Sequence, residues 1–421
     1  MSDSLLSPAA AFSLAFLGAL LLMAALRLWL GVRQIAHIRA HRTEVPIQFA
    51  DRVSLAAHQR AADYCVARVR FGRLALTVEI AVLLAFTFGG GLQALHGFWS
   101  PRLDGLGYGV ALIFSVMAIA GAVDLPLSLY TQFVIEQRFG FNRMSLRLFM
   151  LDLAKQLLLG LLIGTPALLA VLWLMARMGA AWWLYVWLFW CAFNLLILFV
   201  YPTWIAPLFN TFTPLNDAAL KTRIEALLAR CGFASSGLFV MDGSRRTAHG
   251  NAYFTGFGKA KRIVFFDTLL GRLEAQEVEA VLAHELGHFA HRHVLKRIAL
   301  IFGMTLLLLY LLGQLMNAGW FYAGLGVTDE SAHNTAMALI LFFQTVPVFA
   351  FLATPLASLL SRRHEFEADR YAATHASAAD LVKALVKLYE DNAATLTPDP
   401  LHSLFYDSHP QAAQRVARLS R

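Results

Sequence analysis

Two histidines spaced four apart flank a glutamate in Glu279-Ala-Val-Leu-Ala-His284-Glu285-Leu-Gly-His288-Phe-Ala-His291. The apolar positions Val278, Val281, Leu282, Leu286 and Phe289 recur at helical spacing, so the stretch reads as an amphipathic helix. Four residues is just over one turn, which points His284 and His288 off the same face, where they can grip one zinc ion. Glu285 stands beside them as a base for water activated by that metal. Shuffling a chain of this composition would produce the pattern in roughly one sequence in a hundred. A helix that merely carries surface histidines is therefore the weaker explanation.

A catalytic zinc needs a third protein ligand and one open position. Ser361-Arg362-Arg363-His364-Glu365-Phe366-Glu367-Ala368-Asp369 offers it. Glu365 and Asp369 are i and i+4, so on a helix they face one way about a turn apart. Glu365 then binds the metal, and Asp369 accepts the free imidazole N–H of a ligand histidine and fixes its tautomer. Glu367, two residues from Glu365, points elsewhere and falls outside the metal shell. His291 is the rival ligand at i+7, but it lies about 10 Å along the axis from His284.

His284-Glu285-Leu-Gly-His288 followed by Glu365-Phe-Glu-Ala-Asp369 resembles the type I CAAX prenyl protease family, multi-pass membrane zinc endopeptidases of the gluzincin type. The similarity to the heat-shock membrane protease is more distant. Further matching stretches are Asn251-Ala252-Tyr253-Phe254, Arg262–Leu270, His409-Pro410, Pro126-x-x-x-Tyr130 and Glu136-x-Arg138-Phe139-Gly140-Phe141-Asn142. His293 also matches a family histidine, without a catalytic role assigned to it. Phe289 stands where closer relatives have tryptophan. The resemblance implies seven helices around a large hydrated chamber, with the strand at Asn251, Ala252 and Tyr253 flanking the cleft. It also implies that His409 and Arg415 approach the metal from the far side of the substrate, as donors suited to a tetrahedral oxyanion.

The elements that must position these groups are mostly membrane helices. Apolar residues make up 58% of the chain and charged ones 15%, a membrane composition. The spans are predicted at about Ala9–Leu30, Leu74–Leu95, Tyr108–Leu129, Leu151–Leu174, Trp182–Tyr201, Ile298–Met316 and Met337–Leu360. Eight arginines between Arg33 and Arg73, and none before the first span, put the N-terminus outside and this loop in the cytoplasm. Seven crossings then leave Asn317–Ala336, which lacks Lys and Arg, outside. Pro202–Arg297 and Ser361–Arg421 both fall inside, so the two halves of the metal site reach the same aqueous side. Glu79, Asp124, Asp152 and Lys155 lie at membrane depth, where charges pair with one another or line a watery cavity; together they favour a hydrated interior. The net charge of +8 follows the arginine-rich loops rather than one patch, which argues against nucleic acid. Cys65, Cys191 and Cys231 form neither a disulfide framework nor a metal set. The first segment lacks a basic leader region and is long enough to span, so it does not read as a removable signal peptide.

Within Pro202–Arg297, Asn216 is expected to cap a helix running to about Cys231, with Gly232 as its stop. Gly237–Met241, His249–Thr255 and Arg262–Phe266 read as strands. The one before the zinc helix is placed to receive an extended peptide by β-augmentation, through Asn251, Ala252 and Tyr253.

The expected architecture is a predominantly α-helical membrane protein. Helices 1–5 occupy residues 1–201, a cytoplasmic α+β metallopeptidase part 202–297, helices 6–7 residues 298–360, and a C-terminal part with the third ligand 361–421. The expected activity is zinc-dependent peptide hydrolysis: one Zn2+ on His284, His288 and Glu365, Glu285 as base, Asp369 behind the ligands, and His409 and Arg415 at the oxyanion. The partners are a bilayer and a peptide or protein substrate, by resemblance one with a lipid-modified C-terminal CAAX-like sequence. The alternatives are quality-control proteolysis of membrane proteins and, in another class, a transporter or lipid-binding channel with a vestigial metal site. The arginine- and alanine-rich composition, without a terminal ER-retention signal, leans towards a bacterial inner membrane.

Overall fold

The structure is a computed structural model that describes residues 7–255, 261–328 and 335–420. The membrane part comprises α1 (Pro8–Ala40), α2 (Leu55–Phe86), α3 (Gly91–Trp99), α4 (Gly105–Tyr130), α5 (Leu146–Leu159), α6 (Thr165–Arg177) and α7 (Trp182–Val200). Then come β1 (Phe212–Pro214), α8 (Ala218–Arg230), β2 (Ser235–Met241), β3 (Ala252–Thr255), β4 (Lys261–Phe266), α9 (Asp267–Leu270) and α10 (Ala275–Ala290). The chain returns to the membrane with α11 (His293–Leu315), α12 (Gly319–Ala323) and α13 (Thr335–Ala350). It closes with α14 (Thr354–His375), α15 (Ala378–Asp391), α16 (Pro400–Tyr406) and α17 (Ala412–Leu419).

Side-chain oxygens start many of these helices by accepting backbone N–H groups that have no helical partner. Ser7, Ser54, Ser145 and Ser377 do so for α1, α2, α5 and α15. On α8 the cap is Asp217, not the expected Asn216. Asp217 is one residue nearer the first helical turn, and its carboxylate accepts from Leu220 N at 2.9 Å. Gly232 ends that helix with φ +68, as its missing Cβ allows.

Among the described residues, six helical segments are long and apolar enough to cross a membrane, and a seventh forms if the bent pair α2 and α3 counts as one span. The predicted crossings match them in order. The difference is at Leu74–Leu95, which is broken: α2 and α3 meet at 50°. Gly89, Gly90 and Gly91 sit at the break, Gly90 with φ +75, and consecutive glycines give the helix nothing with which to resist bending. In three spans only 6% of the most apolar window is buried within the protein, so those helices form a wall one layer thick. Part of the loop Asn317–Ala336 that was expected outside, residues 329–334, falls beyond the described residues.

The charges expected at membrane depth have partners. Glu79 pairs with Arg27 at 3.3 Å, Asp124 accepts from Ser128, and Lys155 donates to the Leu208 carbonyl at 2.7 Å. Asp152, midway along α5, receives both arms of Arg246 at 2.8 and 3.1 Å. That fork pins a membrane helix to the loop after β2.

The sheet has the order β1-β2-β4-β3, with β2 and β4 parallel and both outer strands antiparallel to their neighbours. All three expected strands form, and β1 adds one that its short length hid. The sheet packs with α8, α10 and α15 around Ile224, Leu227, Phe265, Val278, Leu282, Leu286 and Ala384. The Glu136–Asn142 motif is the bracket between this part and the membrane helices. Tyr64 donates to Glu136 at 2.6 Å, Glu136 lies 3.6 Å from His249, and Asn142 bridges to Thr247. His249 is three residues before β3, so the bracket positions that strand.

Candidate metal centre

The helix that carries the two candidate ligand histidines is α10. It begins with a capping box, in which Glu274 and Glu277 each accept the other's backbone N–H, and Lys387 reinforces Glu277 at 2.7 Å. Its apolar stripe is buried in the soluble core, as its periodicity demands. This leaves His284 and His288 facing α14. Gly287 lets the two helices approach: a Cβ there would meet Ala368 Cα at 2.9 Å, Tyr371 Cβ at 3.0 Å and the Ala368 carbonyl at 3.1 Å.

That approach brings Glu365 of α14 to the histidines. His284 Nε2 and His288 Nε2 are 3.3 Å apart, and the Glu365 oxygens lie 3.5 Å from the first and 3.4 Å from the second. A tetrahedral ion with bonds of about 2.0–2.1 Å spaces its ligand atoms about 3.3–3.4 Å apart. The Nε2–Nε2 separation matches that spacing, and each histidine has its own Glu365 oxygen, Oε2 for His284 and Oε1 for His288, at close to the same distance. Two imidazole lone pairs facing each other repel unless a cation or proton lies between them, which makes the arrangement costly without a positive centre. Among the described residues, His284, His288 and Glu365 are the group able to hold a metal. His291 ends α10 outside that set.

The candidate ligand His284 is oriented from behind. His284 Nδ1 lies 2.9 Å from Asp369 Oδ1, one turn beyond Glu365, so an N–H there donates to the carboxylate and leaves Nε2 free. Burial alone would lower the His284 pKa in the metal-free protein. The hydrogen bonds to Asp369 and Glu365 outweigh it and raise the pKa to about 9.

Arg415 of α17 is buried and grips Asp369 with Nη2 at 2.6 Å and Nε at 2.9 Å. Two of its nitrogens thus serve the carboxylate behind His284, while Nη1 lies 3.8 Å from Glu365 Oε2. His409 is 62% exposed, and its Nδ1 approaches Glu365 Oε2 at 2.8 Å. That oxygen is buried without a partner of hydrogen-bonding geometry, so the contact is close but misdirected. Arg362, one turn before Glu365, holds the His409 loop by donating to the Ser403 and Asp407 carbonyls. Glu285 is half-buried beside His284.

β3 is an outer strand of the sheet and packs beside α10, where the Phe254 and Phe289 rings are 5.1 Å apart. Asn251, Ala252 and Tyr253 are thus close to the metal helix, with Asn251 exposed.

Sequence reasoning left two groups unassigned. His293 Nδ1 is 3.0 Å from His288 Nδ1, and His293 Nε2 is 2.9 Å from Glu367. The signal for His293 was its family match; Glu367 is indeed outside the ligand set but contacts the site through this ring.

Residues 34–211 match the family model for the CAAX prenyl protease N-terminal part, five membrane helices, and residues 214–421 match peptidase family M48. The chain is 37% identical over 313 residues to the CAAX prenyl protease 1 homolog of Oryza sativa subsp. japonica, covering 74% of this chain and 72% of that one. It is 36% identical over 315 residues to CAAX prenyl protease 1 of Saccharomyces cerevisiae, covering 72% and 70%. The crystal structure of S. mikatae Ste24p superposes with a TM-score of 0.91 at 29% identity, covering 97% of this chain and 99% of that one. These similarities favour neither quality-control proteolysis nor a transporter.

Proposed function

Since the chain belongs to peptidase family M48 and is a multi-pass membrane zinc metalloprotease, we propose that His284, His288 and Glu365 hold its zinc and Glu285 is its base. The observation that carries this is the cluster itself: the two imidazole Nε2 atoms stand 3.3 Å apart, and each lies within 3.5 Å of one oxygen of the Glu365 carboxylate, close to the ligand spacing of a tetrahedral ion.

Zinc bound there supplies a Lewis acid that polarises the scissile carbonyl and makes water nucleophilic at neutral pH. The chain itself moves the protons. Glu285 takes one from the attacking water and delivers it to the leaving amine nitrogen. Asp369 holds His284 with Nε2 towards the metal, and Arg415 keeps Asp369 ionised and in place. His409, on the exposed side, donates to the carbonyl oxygen as it gains charge, with Arg415 Nη1 behind it. The outer edge of β3 takes the substrate as an added strand through Asn251, Ala252 and Tyr253.

The substrate we propose is a peptide whose C-terminus carries a lipid, as the names of the relatives suggest. The site's location supports that reading. α11 starts three residues after α10 ends, and Glu365 is five residues past the predicted span boundary at Leu360, about 7.5 Å along the helix. A peptide anchored by a lipid in the membrane reaches the metal without leaving the surface. We place the N-terminus outside and the metal on the cytoplasmic side, from the arginine distribution. A bacterial inner membrane rests on composition alone, and the relatives named above are eukaryotic.

Glu285→Gln protein should bind one zinc and cleave no prenylated peptide, while Glu365→Ala should lose both metal and cleavage. Wild-type turnover by purified Glu285→Gln would remove Glu285 from its role; normal zinc content in Glu365→Ala would remove the third ligand.

A further inference from the structure

The geometry points to a positioning relay, Glu367–His293–His288, in which a carboxylate two rings away decides which nitrogen of His288 faces the metal. The inference rests on the metal centre proposed above.

His293 is the fifth residue after His288. On an unbroken helix it would lie about 140° round the axis. Arg292 breaks the helix with φ +56 and ψ +34, a left-handed conformation unfavourable for a residue with a side chain. The chain turns there, and α11 begins with His293 directed back at His288. His293 is buried, its face covered by the His364 ring at 4.0 Å and 13°.

Proton positions along the relay follow from its end group. Glu367 is an acceptor, so His293 Nε2, 2.9 Å away, must carry the hydrogen that it donates. The neutral ring then has only a lone pair on Nδ1. Across 3.0 Å that lone pair faces His288 Nδ1, which must donate to it. His288 Nε2 is left unprotonated, on the side where Glu365 and His284 wait. The opposite assignment sets a bare nitrogen against the Glu367 carboxylate and puts an N–H into the metal position. His284 receives the same instruction directly from Asp369, so the two ligands are oriented by separate devices. Glu367 is itself held by Arg363 at 3.1 Å.

The test is zinc affinity of the purified full chain, by competition with a chromophoric chelator. Partners of this kind are worth about 10- to 100-fold in metal affinity. His293→Leu should weaken binding by that factor. His293→Gln, whose amide oxygen accepts and whose NH2 donates, should restore most of it. Glu367→Leu, at a partly exposed position, should lower affinity in the same direction without removing the ring. In zinc-free protein, nitrogen NMR of His288 should show Nδ1–H in the wild type and a tautomer mixture in Glu367→Leu. Affinities within twofold of wild type for both Leu variants, or one unchanged tautomer in Glu367→Leu, would overturn the relay. If His293→Leu does not fold, the Glu367→Leu affinity and spectrum decide alone. One zinc per wild-type chain, lost in Glu365→Ala, tests the underlying centre separately.

Discussion

Substituting Gly287 by Ala puts the packing of α10 on α14 to a direct test. The new Cβ would meet Ala368 Cα, Tyr371 Cβ and the Ala368 carbonyl at 2.9, 3.0 and 3.1 Å. Ordinary contact begins near about 3.5–4.0 Å, so α14 must retreat by roughly 0.5–1 Å. Two of the three obstacles are backbone, and no rotamer change relieves them. Glu365, one turn before Ala368, retreats with the helix. Its distances to the histidines, now 3.4 and 3.5 Å, open to about 4 Å or more, past the spacing of about 3.3–3.4 Å that tetrahedral zinc requires. Overpacking costs about 1–3 kcal/mol, against which the helix propensity of Ala over Gly returns at most about 1 kcal/mol. The packing term wins. With two backbone obstacles the packing cost sits at the upper end of its range, which leaves a net of about 1–2 kcal/mol, so zinc affinity should fall by roughly fivefold to thirtyfold, as about 1.4 kcal/mol is a factor of ten. The assay pairs thermal unfolding of zinc-loaded and zinc-stripped protein with chelator competition. Gly303→Ala, where nothing lies within 4 Å of the new Cβ, is the control. If Gly287→Ala behaves like that control in both measurements, helix approach does not set the spacing of Glu365 from the two histidines.

Two further outcomes follow from the charges. In metal-free protein His284 titrates at about 9, raised because burial is outweighed by Asp369 and Glu365. Below that pH zinc must displace its proton, so apparent affinity should rise about tenfold per unit as pH increases and level off above about 9; calorimetry in buffers of different ionisation heat should count about one proton released at pH 7, and none released would contradict the assignment. Asp152→Ala leaves the Arg246 guanidinium, 17% exposed, without its carboxylate, and should destabilise the detergent-solubilised protein by about 3–5 kcal/mol. Asp152→Leu combined with Arg246→Leu should recover most of that loss, and an unchanged melting temperature in the single variant would show that the fork pins nothing.

Some of this protein is written at the scale of one helical turn, and that part is readable without coordinates. The four-residue spacing of His284 and His288 puts both on one face whatever they pack against, and the same holds for Glu365 and Asp369. Apolar runs of about twenty residues mark the crossings, because backbone polar groups cannot be left bare in hydrocarbon. Arginine placement then brings both halves of the site to one side of the membrane. Short-range periodicity is silent on which side chains meet after the chain reverses. Arg415 reaches across 46 residues to spend its fork on Asp369, which no spacing rule anticipates. Glu367 is not part of the His284, His288 and Glu365 group, in keeping with its offset of two from Glu365, yet it meets His293 only because Arg292 turns the backbone between α10 and α11. The bend between α2 and α3, the reach of Arg246 to Asp152 and the closeness of α14 to Gly287 are likewise settled by packing. Local sequence determined which groups share a face; tertiary structure decided which faces touch, because contact between distant segments depends on the volumes and angles of everything packed between them.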